Sequence, residues 1–139
     1  MRRLAPALAC AFLVAVTVQA SADPSRDAIL AALAGEARQT DPGFSAFSAA
    51  RGEAFWTATH TGGKPDTPSC TSCHGPDPAG TGQTRAGKLI EPMAVSRNPQ
   101  RLTDAATVAK WFSRNCNSVL GRECTAAEKG DVMTYLAGK

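Results

Sequence analysis

Apolar side chains recur along the chain at the three-and-four spacing of helices rather than the alternation of strands. Ser25 caps a first helix running to about Arg38, with Ile29, Leu30, Leu33 and Ala37 on one side. After the turn Asp41-Pro42-Gly43, the residues Phe44, Phe47, Ala50, Ala54 and Phe55 repeat at helical spacing to about Ala58. Thr103 or Asp104 caps a third helix, whose stripe of Ala105, Val108, Trp111 and Phe112 ends near Arg114. The last runs from about Thr125 to Ala137; it opens on a capping box, Thr125 with Glu128, and turns Val132, Tyr135 and Leu136 inward. Residues 61 to 88 break the pattern. Gly, Pro, Thr, Ser and Asp dominate there and neither period survives, the signature of a long loop with a function in it. No strand, repeat or low-complexity tract is legible. The expected fold class is therefore all-α, a small helical domain wrapped around something that replaces a large side-chain core.

The amino terminus follows a different rule. Arg2 and Arg3 precede an apolar run from Leu4 to Val18, and Ala20-Ser21-Ala22 has the small residues of a signal-peptidase site. Residues 1–22 read as a signal peptide cleaved after Ala22, and residues 23–139 as the exported domain, delivered to the periplasm. The run is interrupted by Pro6 and is shorter than the roughly 20 residues that cross a bilayer, so no stable membrane insertion is expected. Cleavage takes two of the 15 basic side chains and leaves all 12 acidic ones, a balance near neutrality that gives no support for a nucleic-acid partner. Cys10 leaves with the leader. The other four cysteines fall into the pairs Cys70/Cys73 and Cys116/Cys124, in a compartment where disulfides persist.

Within the loop, "PSCTSCHGPD" places Cys70, Cys73 and His74 in the Cys-x-x-Cys-His spacing by which two thioethers grip a porphyrin and the imidazole reaches its iron. One covalent haem c is the expected cofactor. Zinc held by Cys70, Cys73, Cys116 and Cys124 is the main competitor, but leaves His74 idle; a thioredoxin-type dithiol needs strands around it that the sequence lacks. The nearby "GQTRAGKL" imitates a phosphate-binding loop, yet Leu89 stands where Ser or Thr must meet magnesium and no apolar strand precedes it. Arg85 and Lys88 in that stretch either face haem propionates or are ordinary solvated charges.

Gly52 followed four residues later by Trp56, with Tyr135-Leu136 near the end, resembles the helix crossing of class I cytochromes c, in which a Met sulfur commonly takes the sixth iron position. Here Met133 lies among the packing residues of the last helix. Met93 follows Pro92 in a stretch that in class I proteins lines the proximal side. His60 stands at the mouth of the loop and is a strong donor. Turning about 100° per residue from Val108 places Trp111 at about 300°, Phe112 at about 40° and Asn115 at about 340°, so a polar amide sits centrally on an apolar stripe. Either Asn115 merely ends the helix, as Asn readily does, or it faces the iron. A bridge between Cys116 and Cys124, if formed, closes a loop contributing about 2.5 kcal/mol and pins the residue before Cys116.

The segments "TGGKPDTPSCTSCHG", "GQTRAGKLI.P" and "W..RNCNSV.GR.C" together resemble the sphaeroides haem protein (SHP) family of bacterial c-type cytochromes over most of residues 51 to 137. The departures lie mainly in residues 23 to 50. The resemblance implies His74 as proximal ligand, Asn115 as sixth ligand and a Cys116–Cys124 disulfide. It also implies binding of O2, NO or CO once the iron is reduced, and a dihaem cytochrome c as electron donor. Such a protein is either a gas-binding cytochrome, an oxygen- or nitric-oxide-reacting oxidoreductase, or, with a permanent sixth ligand, a simple electron shuttle. Carboxamide oxygen is a weak ligand, tolerable on ferric iron and poor for the softer ferrous state, so reduction is expected to loosen Asn115.

Overall fold

The computed structural model describes residues 22–139; the expected leader up to Ser21, with Cys10, lies outside them. Helix α1 spans Pro24–Thr40 and is capped by Asp23 rather than Ser25. The Asp23 carboxylate accepts the N–H groups of Ser25 and Arg26, and Pro24 takes a first-turn position where its missing N–H costs nothing. Helix α2 is shorter than its apolar spacing suggests, Ala49–Thr57, with Ser48 accepting from the Arg51 N–H at its start. Phe44 to Phe47 are not helical. Phe47 instead lays its ring where a side chain on Gly130 would stand, so the aromatic spacing serves docking against a later helix. Ala50 and Ala54 are exposed, and the buried face of α2 is Gly52 and Trp56.

The long loop is more ordered than its composition suggests. It contains a single turn of helix, α3 (Thr71–His74), and a minimal antiparallel hairpin, β1 (Gly82–Gln83) with β2 (Leu89–Ile90), registered Gly82 to Ile90 and Gln83 to Leu89. These two short strands correct the expectation of none. Their turn closes through the Thr84 N–H to the Lys88 carbonyl, which disposes of a phosphate loop at this position.

Helix α4 runs Ala105–Leu120 from its cap Asp104, well past Arg114, and stops where Gly121 adopts a left-handed φ of 70°. Helix α5, Ala126–Ala137, begins with the expected capping box of Thr125 and Glu128.

Packing centres on α5. Gly52 carries α2 so close to α5 that a β-carbon there would overlap the Asp131 carbonyl. Beside this crossing the buried Asp131 carboxylate accepts the Ser48 N–H at 2.7 Å and both Arg51 Nε and Nη2, at 2.7 and 2.9 Å. Trp56, Val132, Tyr135 and Leu136 form the core, flanked by Phe55, Cys70, Met93, Leu102 and Phe112. Helix α1 also packs on α5, and its buried Arg26 donates to the Pro99 and Arg101 carbonyls, tying the helix to the segment before α4. Among the described residues the extensive helix pairings are α2 on α5 and α1 on α5, and α4 meets the core cluster through Phe112. No helix among them is long and apolar enough to cross a membrane.

Candidate haem site

The Cys-x-x-Cys-His turn is held from both sides. Ser69 accepts the Thr71 N–H on its hydroxyl, donates its own N–H to the Ser72 hydroxyl, and donates Oγ–H to the Trp56 carbonyl at 3.2 Å. At the far end Gly75, at φ 74°, turns the chain out of α3. The hairpin then folds back: the bare α-carbon of Gly82 lies against the Cys73 carbonyl and the His74 backbone, where any side chain would collide. A groove of about 630 Å³ opens beside Cys73, with Leu89 and Arg85 on its walls.

Cys70 and Cys73 are both free thiols. Burial pushes the Cys70 thiol up to about 11, the opposite of the acidic thiolate on which a redox dithiol depends. His74 is held down to about 4, by burial first and by the positive charge of Arg101 second, so its ring is neutral at ordinary pH, the form that ligates a metal. Trp56 covers it, with ring centroids 5.1 Å apart. Both His74 Nδ1 and Trp56 Nε1 are buried without a hydrogen-bond partner. Trp56 was legible only as a packing residue, through its spacing from Gly52; no sequence signal pointed to Arg101.

Asn115 lies inside α4, five residues before its last, so it does not end the helix. Its neighbours are engaged elsewhere. Asn117 Nδ2 donates to the Ser113 carbonyl and to Glu123, both at 2.8 Å, and Cys116 is joined to Cys124 in a disulfide with a Cα separation of 5.6 Å. Trp111, one turn before Asn115, is 49% exposed, with Lys110 and Arg114 against its ring. Replacing Cys116 and Cys124 together by Ser is expected to lower stability by about 2.5 kcal/mol, the loop-closure entropy of so short a ring. Guanidinium unfolding of the two proteins measures it.

The other candidate ligands are occupied. His60 Nε2 bonds the Phe55 carbonyl at 2.9 Å, with its ring packed on Phe55. Met133 is fully buried in the core, and Met93 packs against the core cluster while its N–H donates to the Pro78 carbonyl. Arg85 pairs with Asp66 on the surface at 2.9 Å. Among the described residues no three His, Cys, Asp or Glu side chains gather as a metal site, and with Cys116 and Cys124 joined to each other a four-thiolate zinc is not assembled.

The residues fit a haem attached at α3. Two free thiols precede a neutral imidazole, buried polar nitrogens lack partners, and α4 is amphipathic with a half-exposed tryptophan.

Residues 42–136 match the family model DUF1924, a domain of unknown function. The cytochrome c-type protein SHP of Cereibacter sphaeroides is 58% identical over 91 residues, 66% of this chain and 70% of that protein. The structure of oxidised SHP, described as an oxygen-binding cytochrome c, superposes with a TM-score of 0.76 at 48% identity, covering 85% of this chain and all of that one. The chain belongs to the SHP family of c-type cytochromes. Its all-α fold is the fold of that family, and as an SHP-family member it is a haem-bearing cytochrome c. A more distant relative is cytochrome c'' of Methylophilus methylotrophus, 33% identical over 101 residues, 72% of this chain and 70% of that protein. Its solution structure, reported for insight into haem-ligand detachment, matches with a TM-score of 0.70 at 29% identity over 82% of this chain and 93% of that one.

Proposed function

We propose that this SHP-family cytochrome carries one haem c, bound through thioethers to Cys70 and Cys73, with His74 as proximal ligand and Asn115 as a sixth ligand that lets go on reduction. When bound, the haem supplies a one-electron couple and an iron position able to take a diatomic gas. The chain's contribution is the rest. His74 presents a neutral ring nitrogen, Trp56 packs on that ring, and Asn115, on α4, would take the opposite side. The observation that carries the reading is the continuation of α4 to Leu120, with the disulfide immediately after Asn115: the amide belongs to a pinned helix turn, not to a fraying end.

A carboxamide oxygen tolerates ferric iron but binds the softer ferrous ion poorly, so the gained electron frees the position for O2, NO or CO. The displaced Asn115 amide remains beside it as a hydrogen-bond donor. The oxygen binding named for SHP and the ligand detachment named for cytochrome c'' support the same reading. The electron comes from a redox partner, of which a dihaem cytochrome c is the expected kind. The chain is exported to the periplasm, with a leader cleaved near Ala22 and the cytochrome domain over residues 23–139.

Carbon monoxide added to the reduced protein is expected to shift the Soret band at once, and the ferric protein to ignore it. A reduced spectrum indifferent to carbon monoxide would leave an electron shuttle with a permanent sixth ligand.

A further inference from the structure

The segment between α2 and the haem-attachment turn is a closed loop whose tip lies on the carboxyl-terminal end of α4. It closes at its root through the His60 N–H to the Pro68 carbonyl, 2.7 Å, and internally through the Thr67 N–H to the Lys64 carbonyl, 3.0 Å. Gly62 and Gly63 at its tip, and Gly121 at the end of α4, let the two backbones meet directly. A β-carbon on Gly63 would overlap the Ser118 carbonyl and the Val119 backbone, one on Gly62 would crowd the Leu120 carbonyl, and one on Gly121 would overlap the Gly62 carbonyl. The Lys64 N–H and the Thr67 hydroxyl both donate to the Ser118 carbonyl, at 2.7 and 3.4 Å. That carbonyl is three residues beyond Asn115, and Thr67 is three residues before Cys70.

We propose that this glycine seam, Gly62-Gly63 against Ser118 to Gly121, is a positioning element that sets the distance between Asn115 and the iron. The inference rests on Asn115 being the sixth ligand. Helix α4 reaches the core cluster through Phe112 near its middle, whereas its carboxyl-terminal half, which carries Asn115, is held by the loop from 60 to 68 acting as a strut, and by the disulfide to Cys124. A weak ligand gains most from such an arrangement, because little of its small binding energy is then lost to ordering the helix that carries it. Lys64, with its N–H on Ser118, and Thr67, with its hydroxyl there, belong to the same strut. A swing of α4 would have to break backbone contacts at the seam.

Gly63→Ala tests this in the haem-loaded protein. The added methyl meets only backbone, so the seam must open and α4 must move away from the attachment turn. Two readouts follow the iron directly: the high-spin fraction of the ferric spectrum, and the affinity of the ferric protein for added imidazole, which competes with the amide. Both are expected to rise severalfold in Gly63→Ala, with Asn115→Ala setting the upper limit. Gly35→Ala, placed on α1 where nothing lies within 4 Å, is expected to leave both unchanged. Should Gly63→Ala not fold, Thr67→Val removes the hydroxyl on Ser118 and is expected to move both readouts in the same direction by less. A Gly63→Ala protein, or failing that a Thr67→Val protein, with wild-type spin state and imidazole affinity, beside an Asn115→Ala protein in which both rise, overturns the seam and leaves the ligand intact. If Asn115→Ala itself changes neither, the ligand assignment falls, and this inference with it.

Discussion

Asn115→Ala is expected to turn the ferric iron from low-spin to high-spin or water-ligated without releasing the haem. The change should be all-or-none, because no other donor is poised to replace the amide. His60 is bonded to the Phe55 carbonyl, Met93 packs on the core, and Met133 is buried in α5. Covalent attachment depends on Cys70 and Cys73 alone, so haem should stay with the polypeptide through denaturing electrophoresis. The fold should be little affected, since Asn115 is exposed and no hydrogen bond within the described residues engages its amide, unlike that of Asn117. A complementary substitution sharpens the result. Asn115→His offers imidazole, a ligand for both oxidation states, and is expected to stay low-spin on reduction and to bind carbon monoxide far more slowly. Ferric absorption or electron paramagnetic resonance spectra decide it; low-spin character retained in Asn115→Ala removes this residue from the iron.

Gly52→Ala is expected to destabilise the protein more than any other single methyl addition in α2. The new β-carbon would lie inside the Asp131 carbonyl and against Tyr135 Cβ, neither of which is a flexible side-chain end that can swing aside. The two helices must part, and the same motion loosens the buried Asp131 carboxylate from Ser48 N–H and Arg51, and Trp56 from Tyr135 and Leu136. Overpacking of this kind costs about 3 kcal/mol, a large part of the roughly 5–15 kcal/mol that holds a small domain together. Because Trp56 covers the His74 ring at 5.1 Å, the loss should also appear as a broadened spectrum of the haem-loaded protein before global unfolding. Guanidinium titration followed by far-ultraviolet circular dichroism and by the Soret band measures both. A midpoint equal to that of the parent would mean that α2 and α5 are not in close contact.

The places where the structure departs from the sequence pattern share a physical cause. Phe44 and Phe47 have helical spacing but are not helical, because Phe47 is matched to Gly130, more than eighty positions away, and no local period carries that information. Helix α4 was expected to end near Arg114 because its apolar stripe stops there. It continues for six more residues, burying Cys116 and Val119, and is stabilised by Glu123, which reaches back to Ser113 and Asn117, and by the disulfide. The minimal hairpin was missed because each strand is two residues long, too short to show alternation. Conversely, the capping box at Thr125 and the Gly52–Trp56 crossing were read correctly, since each depends on residues a fixed few positions apart.

By itself the sequence determined the chemistry that short-range spacing can encode: a thiol–thiol–imidazole cluster at Cys70, Cys73 and His74, the capping box at Thr125, and the motifs that mark an SHP-type cytochrome. Only the tertiary structure decided which donors are free and which are occupied. It placed His60 on a carbonyl, made Asn115 part of a continuous helix, and brought the glycines at 62, 63 and 121 into one seam. The physical reason is that covalent neighbours fix local geometry, whereas competition among ligands depends on burial and hydrogen bonding between segments that meet only when the chain has folded.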